Sequence, residues 1–391
     1  MKQSFASWPD FGLDVIDSVE SVLLSGQVNY WTGNEGCEFE REFSTFCGSK
    51  YAVALANGTV ALELALRSLD IGPGDEVVVT PRTFIASVSA VVMVGAIPVF
   101  ADVDSESQNI TPDTVREVLS HRTRAIIAVH LAGWPCDMDG FMSLAEQHDL
   151  YVIEDCAQAH GALYKGRSVG GLGHVAAWSF CQDKIMSTGG EGGMLTTNDK
   201  RVWEKAWSYK DHGKSWDAVY NNDHPPGFRW LHESFGTNWR MIEMQAAIGR
   251  IQIKKMPDWH AARNRNARLI LDACSHSPNA LRVPQLPSDI EHAWYKCYVF
   301  VKPEGLKQGW DRDRIMRGIN DGGVPCFSGS CSEVYLEKAF DGTDWRPTDR
   351  LPVAKVLGET SLMFLVHPTL SDDDMNKTCR VIEQVMSEAS K

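Results

Sequence analysis

The apolar positions of the chain alternate between a helical repeat and short unbroken runs. Positions three or four residues apart predict helices over residues 14–25, 37–46, 60–69, 83–94, 111–119 and 138–148. The unbroken runs between them predict strands over residues 52–56, 76–80, 98–103, 125–130 and 151–155. Because strands and helices take turns, and because the strands are apolar throughout, we expect a mostly parallel α/β sheet covered by helices on both faces.

The second half of the chain continues this pattern and then changes composition. The later predicted elements are strands over 176–180, 193–197 and 293–301, the last with alternating polarity, and helices over 199–211, 241–253, 257–274, 312–320 and 372–386. Pro257 is expected to separate two of these helices. Residues 214–236 form a long polar, aromatic loop, and such loops are usually functional or lie at interfaces. We predict a large domain over residues 1–255 and a smaller C-terminal α/β domain over 256–391.

Composition and charge narrow the class of protein. The chain has 391 residues, of which 43% are hydrophobic and 9% aromatic, so a large core is expected and disorder is not. With 38 basic and 51 acidic residues the net charge is −13. A nucleic-acid surface needs a basic stripe, so we expect no nucleic-acid partner.

Cysteine spacing and hydropathy favour a cytoplasmic protein. The ten cysteines form no CxxC pair and no tight group with histidine, so we expect reduced thiols and no metal site. The N-terminal segment has no apolar region of the kind that secretory signals contain. No stretch approaches the roughly 18 uninterrupted apolar residues of a membrane span. We therefore expect a soluble protein without a membrane segment.

A small polar turn follows the first predicted strand. Asn57, Gly58 and Thr59 lead from this strand into a helix, an arrangement that presents free backbone N–H groups and a positive dipole end to a phosphate. Capping of the helix by Asn57 explains the same residues, so the turn alone leaves the question open. His130, Asp155 and the Thr83–Phe84 pair also lie at strand ends, where ligands of parallel sheets bind. These residues are expected to converge on one site.

Two further residues predict a particular cofactor chemistry. Asp155 ends an apolar strand, and Lys184 precedes the glycine-rich stretch STGGEGG (187–193). An acid and a lysine so placed suit pyridoxal 5′-phosphate (PLP), with Asp155 on the ring nitrogen and Lys184 holding the aldehyde as a Schiff base. A capping role for Asp155 and a surface-loop position for Lys184 are the alternatives. Gln158 and Ser179 are close enough in sequence to contact the ring and the phosphate.

Several motifs occur together in an order that resembles the PLP-dependent sugar-nucleotide aminotransferases of the DegT/StrS type, which have fold type I. The motifs are NGTVAL (57–62), PRTFIA (81–86), VFADVD (99–104), VIEDCAQAHGA (152–162), TGGEGG (188–193) and GTNWRM (236–241). They are specific as a set and cover roughly residues 10–300. The resemblance implies a homodimer with shared active sites, PLP as cofactor, and an amino acid (L-glutamate) and a nucleotide-linked keto sugar as substrates.

The resemblance also implies the role of each residue. Lys184 would carry the cofactor and shuttle the proton, and Asp155 would pair with the pyridinium nitrogen. The other cofactor contacts implied are Gly58, Thr59, Phe84, Gln158, Ser179 and, from the neighbouring subunit, Asn238. His160, Arg240 and Tyr30 are candidate substrate contacts.

Departures of this sequence from the family pattern bear on the prediction of the substrate more than on the prediction of the reaction. Residue 57 is Asn where Ser is commoner, and residues 326–335 replace a loop that is rich in Tyr and His in many relatives. Sugar dehydratases of the same fold carry His at the lysine position, so Lys184 favours an aminotransferase. A non-catalytic sugar-nucleotide-binding or regulatory homologue is the remaining alternative, and the pair formed by Asp155 and Lys184 speaks against it. We expect a 4-keto-6-deoxysugar as amino acceptor, with a 3-keto sugar as the alternative.

Overall fold

The computed structural model describes residues 5–223 and 229–391. The helices are α1 (Leu13–Ser25), α2 (Glu35–Cys47), α3 (Gly58–Ser68), α4 (Ala86–Met93), α5 (Pro112–Arg116), α6 (Met138–His148), α7 (Lys200–Lys210), α8 (Trp216–Tyr220), α9 (Glu243–Ser275), α10 (Arg312–Asp321), α11 (Pro352–Thr360) and α12 (Asp372–Ala389). The strands are β1 (Tyr51–Leu55), β2 (Glu76–Val79), β3 (Ile97–Phe100), β4 (Thr123–Val129), β5 (Tyr151–Asp155), β6 (Leu163–Tyr164), β7 (Arg167–Ser168), β8 (Val175–Ser179), β9 (Gly193–Thr197), β10 (Leu281–Arg282), β11 (Ile290–Glu291), β12 (Cys297–Val301), β13 (Cys326–Phe327) and β14 (Ser361–Phe364).

A seven-stranded sheet forms the centre of the molecule, in the order β1-β9-β8-β5-β4-β2-β3. Strand β9 runs antiparallel to both of its neighbours, and the other neighbouring pairs are parallel. The strands β2, β4, β5 and β8 are almost completely buried because helices cover both faces. The expected mostly parallel α/β sheet is confirmed.

A second, four-stranded antiparallel sheet has the order β10-β12-β14-β13. The prediction of an alternating strand over residues 293–301 is wrong. Trp294 has a φ of 51°, which interrupts extended backbone, and the strand is confined to β12, whose five residues are all buried. Val299 and Tyr298 belong to two different apolar clusters on the two faces, so neither face needs a polar side chain.

Helix α9 contains 33 residues and runs without a break through Pro257. The prediction of two separate helices is therefore wrong. The missing N–H of the proline removes one hydrogen bond, but packing on both sides of it stabilises the helical path. Gly249 lies against Phe39 in the N-terminal half, and Ile270 lies in the apolar cluster of the small sheet in the C-terminal half. The domain division at residue 255 stays a prediction, and it falls inside this helix.

Several smaller differences concern elements with weak sequence signals. The predicted loop over 214–236 contains the short helix α8, and its residues 224–228 lie outside the described ranges. The predicted helix over 83–94 begins later, at Ala86, so Phe84 lies in the turn before it.

All ten cysteines are free thiols. Within the described ranges, no helix combines the length and the apolar character needed to cross a bilayer.

We predict that Gly249→Ala destabilises the protein. A Cβ at Gly249 would lie 2.4 Å from Cζ of Phe39, a fully buried ring that is itself packed against Phe43 and Phe180. Overpacking costs about 1–3 kcal/mol, which exceeds the ~1 kcal/mol that alanine gains in helix propensity. The free energy of unfolding in urea should fall by up to about 2 kcal/mol. The control is Gly72→Ala, whose Cβ would meet nothing closer than 3.7 Å. Equal stability of the two variants would contradict the packing argument.

Candidate active site

The carboxyl ends of three parallel strands bring polar residues to one edge of the large sheet. Strand β1 leads into α3 through Asn57, β5 ends at Asp155, and β8 ends at Ser179. Because β5 and β8 are neighbours in the sheet, their terminal residues lie close together. This edge is where a ligand of an α/β sheet is expected.

Asp155 is a buried carboxylate held by neutral donors. It is 5% exposed, and it accepts hydrogen bonds from the Ser87 hydroxyl at 2.8 Å and from the Ala157 backbone N–H at 3.1 Å. Thr83 contacts the same Ser87 hydroxyl at 2.9 Å. Burial raises the pKa of Asp155, and the two hydrogen bonds and the nearby Lys184 charge offset this only in part. Within the described ranges the carboxylate forms no ion pair, so a cationic ligand group would stabilise it.

The adjacent residue, Glu154, has the opposite environment on the other face of β5. Its carboxylate accepts four hydrogen bonds, from Nε2 of His130 (3.1 Å) and the backbone N–H groups of Gly170 (2.8 Å), Leu172 (2.9 Å) and Gly173 (2.7 Å). Burial raises the pKa of Glu154, but His130 and the backbone donors outweigh it, and the pKa is lowered. Glu154 is therefore a satisfied structural carboxylate.

His130 faces Glu154 and not the Asp155 side, so the expectation that it converges with the other strand-end residues is wrong. Its Nδ1 accepts the backbone N–H of Cys136 at 3.0 Å, and its Nε2 contacts Glu154. Ligand atoms of His130, Glu154 and Cys156 lie within 4.8 Å of one another. Both ring nitrogens are already engaged, so this cluster is better explained as a structural network than as a metal site.

Lys184 lies in a turn fixed by backbone contacts. Its carbonyl accepts a hydrogen bond from Nε1 of Trp8 at 2.7 Å, and its own N–H donates to Cys181 O at 3.1 Å. The side chain is 16% exposed, with Nζ 5.1 Å from the centre of the Tyr295 ring and 4.0 Å from Oδ1 of Asp183. The Lys184 charge lowers the pKa of both Asp155 and His160.

The first turn of α3 forms a cradle with Ser179. Asn57 caps the helix by accepting the Val60 N–H at 3.0 Å, and the N–H groups of Gly58 and Thr59 are too early in the helix to find intrahelical acceptors. A Cβ on Gly58 would lie 2.6 Å from Cβ of Ser179, so only glycine permits this close approach. The free N–H groups, the two hydroxyls and the positive helix end suit a phosphate group.

Phe84 and Gln158 are near Asp155 in the chain or through its hydrogen-bond partner, and their exposures differ. The Phe84 ring is 69% exposed, and its carbonyl accepts the N–H of Ser87, the residue that holds Asp155. A large exposed ring beside a buried acid offers an apolar face to a planar ligand. Gln158 is buried, and its Oε1 accepts the Ala132 N–H at 2.7 Å.

The three candidate substrate residues have different surroundings. Two of them adjoin this edge, because Arg240 is bridged to Leu55 at the end of β1 and the Lys184 charge acts on His160. Tyr30 is 4% exposed, and its hydroxyl donates to Oε2 of Glu40 at 3.0 Å. Arg240 is engaged by Asp211 at 2.6 Å. His160 is fully buried between aromatic rings, and burial followed by the Lys184 and Arg263 charges lowers its pKa to about 3, so it is neutral.

Asn238, the residue assigned to a neighbouring subunit's site, is exposed. It lies in an extended segment between the end of α7 and the end of β1, where it bridges Asp211. In the same segment, Trp239 accepts the Ala56 N–H at 2.9 Å.

Sequence reasoning missed two residues of the site. Ser87 holds Asp155, and its position three residues after Phe84 at a helix start was a usable signal. Tyr295 lies two residues before β12 and packs against Lys184, and no local pattern connects residues so far apart in sequence.

Comparison with known proteins identifies the family. The model of the DegT/DnrJ/EryC1/StrS aminotransferase family matches residues 10–385. The chain belongs to this family. It is an aminotransferase, and its fold is fold type I, the fold of PLP-dependent aminotransferases.

Relatives and solved structures match this aminotransferase over nearly its whole length. The crystal structure of an aminotransferase from Psychrobacter cryohalolentis is 64% identical, covers 98% of this chain and 99% of its own, and superposes with a TM-score of 0.97. A GDP-perosamine synthase from Caulobacter vibrioides is 35% identical over 89% of each chain. A dTDP-3-amino-3,6-dideoxy-alpha-D-galactopyranose transaminase from Aneurinibacillus thermoaerophilus is 32% identical over 95% of this chain and 94% of its own.

We predict opposite effects from neutralising the two adjacent carboxylates in the cofactor-free protein at pH 7. Glu154→Gln should lower the free energy of unfolding by about 1–3 kcal/mol, because buried N–H donors lose their acceptor. Asp155→Asn should leave the free energy of unfolding unchanged or raise it, because it removes a poorly compensated buried charge.

The pH dependence follows from the signs of the two pKa shifts. The lowered pKa of Glu154 gives a stabilisation that is complete above its ordinary value of 4.5 and is lost as pH falls through the folded-state pKa. The raised pKa of Asp155 gives a penalty that is full above its folded-state pKa, shrinks as pH falls below it, and is gone below the ordinary value of 3.8. Urea unfolding of both variants between pH 4 and 8 measures this, and a larger loss in Asp155→Asn would contradict it.

Proposed function

We propose that this aminotransferase binds PLP at the strand-end site and transfers an amino group from L-glutamate to a nucleotide-linked 4-keto-6-deoxysugar. The observation that carries the proposal is the placement of Asp155, Lys184 and the α3 cradle at one edge of the sheet. Each of the three supplies a different chemical requirement of the cofactor. Their separation in sequence makes an accidental combination improbable.

The residues present fit PLP. The Asp155 carboxylate, whose pKa burial raises, matches a protonated pyridine nitrogen, which would supply the missing positive charge. The cradle of Gly58, Thr59 and Ser179 matches the phosphate, and the exposed Phe84 ring matches a face of the pyridine ring. Gln158 remains a further proposed contact of the ring.

When bound, PLP supplies an aldehyde that accepts an amino group and a ring that stabilises the negative charge formed at the neighbouring carbon. Lys184 would hold the cofactor through Nζ, and its Nζ would carry the proton during the transfer. Asp155 would hold a protonated ring nitrogen. The neutral His160 and the rings around it exclude water from the floor of the site.

The names of the relatives differ in nucleotide and in amino position, which is why the acceptor is part of the proposal. One relative's name refers to a GDP-linked sugar and another's to a dTDP-linked 3-amino sugar. The second name favours a 3-keto acceptor as the alternative substrate. The product would be an aminodeoxysugar nucleotide for a surface glycan such as lipopolysaccharide O-antigen, or for a secondary metabolite. The cytoplasm is the compartment in which such nucleotide-linked precursors are made.

We also propose a homodimer in which Asn238 of one protomer reaches the cofactor phosphate of the other. Asn238 is exposed, and Phe235 and Trp230 in the preceding loop are 99% and 83% exposed. Large aromatic side chains this exposed are typical of a surface that is covered by a partner.

The purified protein is expected to be yellow and to lose its colour when glutamate is added. Lys184→Ala should keep PLP through the phosphate and Asp155 contacts but lose transamination by a factor of about 10³ or more. Gln182→Ala, an exposed position in the same turn, is the matched control and should stay fully active. A colourless protein that binds no added PLP would refute the proposal.

The acceptor is tested with UDP-, dTDP- and GDP-linked 4-keto and 3-keto sugars, with the aminated product detected by mass. Amination of the 3-keto sugars alone would exclude the 4-keto assignment and favour the alternative.

The shared site predicts complementation between two inactive variants. Lys184→Ala and Asn238→Ala are expected to be inactive or strongly impaired as separate homodimers. In mixed dimers one of the two sites combines an intact Lys184 with an intact Asn238, so co-expression should restore about a quarter of the wild-type activity. If Asn238 acted within its own chain, mixing would restore nothing. Sedimentation of each variant checks that dimers form.

A further inference from the structure

A segment near the N-terminus, residues 5–9, contacts the turn that carries Lys184. Nε1 of Trp8 donates a hydrogen bond of 2.7 Å to the Lys184 carbonyl. No other donor to this carbonyl is found among residues 5–223 and 229–391. A side chain 176 positions earlier in the chain therefore holds the peptide group that follows the lysine.

The segment itself is held by the part of the molecule that contains the small sheet. The Phe5 ring packs against the apolar cluster of that sheet. The hydroxyl of Thr369, a residue that follows β14, donates to the Ser7 carbonyl at 2.9 Å. The Trp8 ring stacks on His367, with the ring centres 6.0 Å apart. The segment thus connects the small sheet to a turn between two strands of the large sheet.

Helix α9 provides two further contacts of the Trp8 ring. Trp259 meets this ring edge-on, with the ring centres 4.9 Å apart, and the guanidinium carbon of Arg263 lies 5.1 Å from its centre. Close-packed neighbours restrict the rotation of a large flat side chain. Because His367 is a third neighbour, the direction of the indole N–H is set by packing.

The residues on either side of Lys184 are fixed by other contacts. The Lys184 N–H donates to the Cys181 carbonyl at 3.1 Å, and the Ser187 N–H donates to Oε1 of Gln252 on α9 at 2.7 Å. The orientation of the peptide group between these points depends on rotation about the backbone of Lys184. Such a rotation changes the direction of the lysine side chain. The hydrogen bond from Trp8 restricts it.

We propose that Trp8 is a positioning residue for Lys184, and that it acts through the Lys184 carbonyl by fixing the direction of the lysine side chain. The proposal rests on the proposed function, because it takes Lys184 to be the residue that holds PLP and carries the proton. A displacement of reacting groups by about 1 Å reduces a rate by roughly a hundredfold. The loss of one hydrogen bond changes stability much less. Removal of the indole N–H is therefore expected to affect the rate more than the stability.

The test compares three variants of the holoenzyme with glutamate as amino donor. Trp8→Phe keeps an aromatic ring and removes the N–H, and it should lower kcat about tenfold while KM changes by less than about twofold. Trp8→His carries a ring nitrogen at the position of Nε1 and should restore most of kcat. Trp259→Phe is the matched control, because it alters the ring that packs on Trp8 and leaves the donor to Lys184 in place. It should keep the wild-type kcat.

A second measurement uses the protein without PLP and does not depend on activity. Hydrogen–deuterium exchange of the backbone over residues 181–190 should become about fivefold faster in Trp8→Phe. The same residues should exchange at the wild-type rate in Trp259→Phe. A purely structural contribution of the Trp8 ring would instead accelerate exchange in both variants.

The outcomes separate the role of Trp8 from the proposed function. A wild-type kcat together with wild-type exchange over 181–190 in Trp8→Phe would overturn the role of Trp8, even if the protein transaminates. Equal losses of kcat in Trp8→Phe and Trp259→Phe, or no restoration by Trp8→His, would overturn it as well, because packing would then be responsible. Faster exchange over 181–190 in Trp8→Phe of a protein that binds no PLP would keep the positioning of the turn and overturn the function. Trp8 is half-buried, and thermal unfolding of each variant verifies that the fold is kept.

Discussion

The interior of this molecule must hold the Asp155 carboxylate, which has no ion-pair partner in the part of the chain that the structure describes. Asp155 is stabilised by a hydroxyl and a backbone N–H, and both donors come from chain turns that the sheet positions. Ser87 belongs to the first turn of α4, and its N–H is bound to the Phe84 carbonyl. The backbone of Phe84 is therefore fixed relative to the acid by one turn of chain. Its exposed side chain is available to a planar ligand that the acid holds.

Side chains alternate between the two faces of β5, so the adjacent carboxylates of Glu154 and Asp155 have different surroundings and different roles. Glu154 binds the backbone N–H groups of Leu172 and Gly173, directly before β8 begins. Those bonds fix the start of the strand whose last residue, Ser179, packs against Gly58. A structural acid on one face thus positions the phosphate cradle, while Asp155 on the other face remains available to a ligand.

Sequence reasoning located the parts of the site that depend on local pattern. The ends of β1, β5 and β8, the α3 turn and the lysine turn each follow from a run of apolar residues and its boundary, and the structure brings them to one edge. Contacts between segments that are far apart in sequence could not be predicted from such local patterns. We predicted a break at Pro257 from helix propensity, which is a local property. Packing along both halves of α9 keeps the helix continuous. The side chain of His130 was assigned to the wrong face because a strand-end position does not reveal which partner its ring nitrogens find.

The contacts of Tyr30 also could not be predicted from the local sequence pattern. Its hydroxyl is occupied by Glu40, ten residues away, and a lysine from α7 lies above its ring. Only the folded chain shows that these groups meet.

The continuity of α9 affects the connection between the two sheets. At about 1.5 Å per residue its 33 residues span roughly 50 Å. The helix joins the packing of Gly249 on Phe39 to the apolar cluster under the small sheet. Arg263 lies between these two anchors. Because the helix is continuous through residue 255, the connection between the two sheets contains no break in secondary structure at that point.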